Sequence, residues 1–163
     1  MNPTQWTGVV VFGCAALLCA RAASISKVGA WGWIAVISFF CLLETVFGWR
    51  HRLHDFVISI IAPHGWYPSR RPFQALLLAI LLVLFGLVAS SLLKLWRKDR
   101  KAAVAAFSCL SALCLFLSEA ISLHAVDAML YRPIGPVLAI GWMWVLLASV
   151  TMFMAGTTRA RKI

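Results

Sequence analysis

Apolar residues fall along the chain in five long runs separated by short polar stretches: from about Trp6 to Ala20, Ala30 to Trp49, Phe73 to Leu95, Ala102 to Leu123 and Ile134 to Gly156. A helix needs about 20 apolar residues to cross a hydrocarbon core. Each run approaches that length once snorkelling of Arg21 carries the first to residue 23. The runs lack the alternation of apolar and polar residues that a membrane β-barrel requires, so backbone groups in lipid must be satisfied within helices. The expected fold is an all-α integral membrane protein: a single polytopic domain with spans at about 6–23, 30–49, 73–95, 102–123 and 134–156. A cleavable signal peptide is the competing reading of the first run, but Met1 to Trp6 holds no Lys or Arg for a basic leader.

Composition strengthens this picture. The chain is 63% hydrophobic and 12% charged, whereas soluble domains carry about 25% charged residues. Cys14, Cys19, Cys41, Cys109 and Cys114 all lie inside apolar runs and form no CxxC pair, so they read as small packing residues.

The basic residues divide unevenly between the two sides of such a bundle. Arg21, Lys27, Lys94, Arg97, Lys98, Arg100, Lys101, Arg159, Arg161 and Lys162 fall on one side, and Arg50, Arg52, Arg70, Arg71 and Arg132 on the other. The positive-inside rule puts the richer side in the cytoplasm and the amino terminus outside; a bacterial inner membrane is the expected location. The net charge of +10 then reflects topology and attraction to anionic lipid. Nucleic acid is not an expected partner, because the charges sit in separate short loops rather than in one stripe. Trp6, Trp49 and Trp66, and on the opposite side Trp31, Trp33 and Trp96, are placed as interfacial anchors.

The two outer segments concentrate the chemistry, with all four histidines in or beside them. The stretch Phe56 to Ile61 is too short to cross and reads as an interfacial segment. Glu44 and Glu119 lie inside the outer ends of their spans, where an ionisable group costs a few kcal/mol unless paired, protonated or facing a wet cavity. If the second helix continues past Trp49, Glu44, His51 and Asp55 share one stripe, and His124 and Asp127 are neighbours on the fourth helix. These helices are expected to present their carboxylates and imidazoles to a shared pocket.

Three readings of that pocket compete. In the first, each glutamate pairs with an Arg or His of a neighbouring helix and only fixes the bundle. In the second, Arg50, Arg52, Arg70, Arg71 and Arg132, with Tyr67, hold a phosphate or carboxylate, since guanidinium forks match such groups bidentately. That suits an anionic membrane lipid, a polyprenyl phosphate or an acidic segment of a partner membrane subunit. In the third, His51, His54, His124 and Asp127 join Glu44 and Glu119 around a metal ion, or a haem lies between His51 or His54 and His124. No HExxH spacing supports a particular metal. Nucleophilic catalysis has no GxSxG element, and the serine–glycine–histidine element of lipid-phosphate phosphatases is also absent. The leading expectation is a small membrane protein binding an anionic lipid, a phosphate group or a partner subunit. Its rival is a membrane enzyme or redox subunit, which leaves catalysis open.

Overall fold

The computed structural model describes residues 1–26, 28–49, 52, 55, 56, 59, 70–121 and 124–159, with Arg70, Arg71, Phe73, His124 and Ala125 described by backbone only. Among these residues the chain forms α1 (Pro3–Ser26), α2 (Gly29–Phe47), α3 (Arg70–Lys98), α4 (Arg100–Ile121), a short α5 (His124–Leu130), strands β1 (Pro133–Ile134) and β2 (Val137–Leu138), and α6 (Ala139–Gly156). Five of these helices, α1, α2, α3, α4 and α6, are long and apolar enough to cross a membrane. The protein is an all-α integral membrane bundle.

Local sequence explains where the helices begin and end. Asn2 and Gln5 form a reciprocal capping box, with Gln5 N–H donating to Asn2 Oδ1 at 2.8 Å and Asn2 N–H donating to Gln5 Oε1 at 2.9 Å. Pro3 occupies the first helical position, where its missing N–H costs nothing. Asp99 alone joins α3 to α4: its N–H donates to the Leu95 carbonyl at 2.7 Å, and its Oδ1 accepts from Ala102 N–H at 3.0 Å as an N-cap.

Two boundaries differ from expectation. The second helix does not continue past Trp49: it ends at Phe47, where Gly48 takes the left-handed conformation (φ 60°, ψ 40°) and donates to the Glu44 carbonyl at 2.8 Å. Helical backbone resumes at Trp49, but the left-handed residue resets the register, so Glu44 and Asp55 do not belong to one continuous stripe. The last spanning helix starts at Ala139 rather than Ile134, because Gly135 (φ 67°) and Pro136 turn the chain into a small antiparallel hairpin. His124 and Asp127 correspondingly sit on α5, beyond the end of the fourth span.

Each of four helices buries one face. In α1 it is Thr4, Gly8, Phe12, Ala15, Cys19, Ala22 and Ser26, spaced three and four apart. The buried faces of α2 and α6 follow largely the same spacing, whereas α4 is buried over a wider arc at its alanine-rich start (Ala102, Ala103, Ala105, Ala106) and narrows to Cys109, Ala112, Phe116 and Glu119. Helix α2 packs on α1 and α4, while α6 packs on α4 and α1, closing a four-helix ring. Small residues fill these stripes because lipid supplies no hydrophobic drive between helices, so close backbone approach must supply van der Waals contact. At one level Phe12, Phe116 and Trp144 meet, with ring centroids 5.1–6.2 Å apart. Helix α3 has no buried residue in its apolar span and packs on α4 outside the ring.

Trp31 departs from the anchoring expectation. It is wholly buried within the ring, while Trp33 stays 72% exposed and Trp96 46% exposed. All five cysteines are free, and Cys19, Cys41 and Cys109 are buried core residues.

Candidate functional site: the polar face at the amino terminus and the groove beneath it

Cross-helix hydrogen bonds define the two faces of the bundle. Leu138 N–H donates to Thr4 Oγ1 at 3.0 Å, and Gln74 Nε2 donates to the Ile121 carbonyl at 3.1 Å. The starts of α1, α3 and α6 and the end of α4 therefore share one face, with the end of α2. At the opposite face, Lys101 Nζ donates to the Thr157 carbonyl at 2.6 Å, joining the start of α4 to the end of α6.

Glu44 and Glu119 lie in the last turns of their helices on the amino-terminal face, being only 4% and 6% exposed. A tyrosine supplies one partner of Glu119: Tyr131 Oη donates to Glu119 Oε1 at 2.8 Å. This bond ties the segment between α5 and the hairpin to the last turn of α4. Charge-based expectation had looked for an Arg or His there. The signal that could have found Tyr131 is its position just after α5, one short connection from Glu119.

The two carboxylates stand at different depths. Ser38 and Cys109, in hydrogen-bond contact at 3.5 Å, set the register of α2 against α4. At 1.5 Å of rise per residue, Glu44 lies about 9 Å and Glu119 about 15 Å from that contact, one helical turn apart along the bundle. Among the described residues, no group of three or more His, Cys, Asp or Glu side chains is arranged to hold a metal ion. The histidines of the metal and haem reading, His51 and His54, lie outside the described residues, as do Arg50 and Tyr67; His124 is described by backbone only. Arg52 and Arg132 are exposed on this face, and Asp127 is half-buried on α5, where its carbonyl accepts from Tyr131 N–H at 2.9 Å.

Arg70 and Arg71 are the first residues of α3, at the positive end of its helix dipole. Farther along the same helix, Leu78, Leu82 and Phe85 form one wall of a groove of about 370 Å³. Leu115 and Ser118 of α4 and Met143, Leu146 and Leu147 of α6 form the other walls. The serines lining it do not make it polar. Ser118 Oγ donates to the Leu115 carbonyl at 2.8 Å and Ser111 Oγ to the Phe107 carbonyl at 2.9 Å, each satisfied within its own helix. Phe85 meets Phe107 at a centroid distance of 5.8 Å and closes the groove toward the bilayer centre.

Comparison with protein-family models, with curated proteins and with solved structures gave no match.

Proposed function

We propose that the protein binds an anionic membrane lipid, its phosphate at the start of α3 and one acyl or prenyl chain in the groove between α3, α4 and α6. One observation carries this reading: the apolar groove lies on the same helix as Arg70 and Arg71 and below them. Leu78 is about 10 Å and Phe85 about 20 Å along the helix from Arg71, the depth range that a chain occupies beneath its head group. Arginine forks at a helix amino terminus suit a phosphate, and a wall without free polar groups suits a hydrocarbon chain. Glu119 and Tyr131 have a positioning role in this account, holding the hairpin segment against α4 beside the groove mouth. The ten-to-five distribution of basic residues supports a cytoplasmic carboxyl-terminal face and hence an outward-facing lipid site.

The test is a salt series of anionic-lipid binding to the parent protein and to the Arg70→Gln/Arg71→Gln double variant. Loss of two phosphate-pairing charges should weaken binding and flatten its dependence on salt. Unchanged affinity across the series would move the site away from α3.

A further inference from the structure

The carboxyl-terminal face carries a second concave site, of opposite position and independent of the lipid groove. Three connections converge there around a cleft of about 270 Å³: the end of α1 at Ser26, the α3–α4 junction at Lys98, Asp99 and Lys101, and the residues after α6 at Thr158 and Arg159. We infer that this cleft binds a phosphate group, carried either by a soluble anion or by a lipid head group of the adjacent leaflet.

The charge arrangement points to an anion. Lys98, Lys101 and Arg159 face one carboxylate, Asp99, whose Oδ1 accepts the Ala102 N–H at 3.0 Å and so serves the start of α4. Lys101 is held in place by its bond to the Thr157 carbonyl, which answers the negative end of α6 with one ammonium proton and leaves two for a ligand. Ser26 and Thr158 are buried at the cleft, 8% and 9% exposed. Thr158 Oγ1 donates to the Met154 carbonyl at 2.9 Å, while Ser26 Oγ accepts from Val28 N–H at 3.3 Å and keeps its own proton to donate. This organisation differs from a solvated run of basic residues. Arg100, in the same sequence cluster, does not line the cleft and instead lies over the Trp96 ring at 5.8 Å. The volume suits a head-group-sized fragment, being below the about 300–1,000 Å³ of drug-sized ligand pockets.

The experiment places the full chain in phosphatidylcholine nanodiscs and titrates inorganic phosphate and pyrophosphate by calorimetry. A parallel arm adds phosphatidylglycerol and counts retained anionic lipids by native mass spectrometry. Arg159→Gln is the main variant, because among the described residues no hydrogen bond depends on its guanidinium; Lys101→Gln is the second. Arg97→Gln removes the same charge one residue outside the cleft. A soluble ligand predicts saturable anion binding, weakened about tenfold by Arg159→Gln, as for one lost charge-assisted hydrogen bond, and little changed by Arg97→Gln. A lipid ligand predicts no soluble binding but one fewer retained anionic lipid in Arg159→Gln and in Lys101→Gln, and no loss in Arg97→Gln. Absence of both signals, or equal loss in Arg97→Gln and Arg159→Gln, overturns the cleft as a site.

Discussion

Gly8 is where the packing of the ring can be tested by adding a single carbon. A Cβ there would lie 2.6 Å from Thr45 Cγ2 and 3.1 Å from two ring atoms of Trp144. Carbon atoms pack best at about 3.5–4.0 Å, so the methyl of Gly8→Ala needs roughly 1 Å that its neighbours must yield. They are poorly placed to yield it. Thr45 Oγ1 is tied to the Leu42 carbonyl at 2.7 Å and to the Cys41 carbonyl at 3.2 Å, and Trp144 is only 1% exposed and stacked against Phe116. Overpacking of this kind costs about 1–3 kcal/mol. The better helix propensity of Ala offsets about 1 kcal/mol of that, leaving a net loss of about 0–2 kcal/mol. Gly86→Ala on α3 is the control, since nothing lies within 4 Å of a Cβ there, and it should be neutral or slightly stabilising. Thr45→Ser deletes the obstructing methyl while keeping the hydroxyl. It should cost about 0.8 kcal/mol in the parent, as one lost buried methyl, but much less or nothing beside Gly8→Ala. Reversible unfolding in micelles or bicelles across the four-variant cycle measures this coupling. A Gly8→Ala protein more stable than the parent, or a Thr45→Ser cost identical in both backgrounds, would refute the close approach of α1 to α2 and α6.

Three further outcomes are expected. Gly141→Ala should destabilise the start of α6 by about 1–3 kcal/mol in the same unfolding assay, because its Cβ would lie 2.5 Å from Val137 Cγ1 and 2.9 Å from Thr4 Cγ2. Tyr131→Phe should cost about 1–3 kcal/mol by removing a donor from a buried carboxyl group, with a smaller cost in a Glu119→Gln background; equal costs in both would show that the bond contributes nothing. In a cysteine-free background, labelling of Arg97→Cys should be cytoplasmic and of Ser69→Cys extracytoplasmic, and the reverse pattern would invert the proposed orientation.

Five spans were legible because crossing a bilayer demands length and apolarity, and both can be read without knowing what packs on what. The inward face of each helix was harder to read, since in lipid both faces are apolar. The more informative signal is small residues rather than hydropathy, since Gly8, Ala15, Cys19 and Ala22 line the inward face of α1. It does not place every helix, because Ala75, Ala79, Gly86 and Ser90 share one face of α3 and stay exposed outside the ring. Gly135-Pro136 is a strong turn dipeptide that the run-length reading passed over, which placed the start of α6 five residues early. Gly48 gave less warning, because isolated glycines are common inside membrane helices. Glu44 and Glu119 were conspicuous as charges at depth, but the Tyr131 bond depended on how the α4–α6 connection folds back. Asp99, directly before α4, is a capping signal that run length alone does not register.

The most direct measurement of the central claim is native mass spectrometry of the protein released from membranes containing both phosphatidylglycerol and phosphatidylcholine. The account predicts a retained anionic lipid that is lost when Leu82→Trp fills the groove and is kept when Val83→Trp adds the same bulk at an exposed position of α3 outside it. Retention that is indifferent to head-group charge, or equal in Leu82→Trp and Val83→Trp, would contradict it.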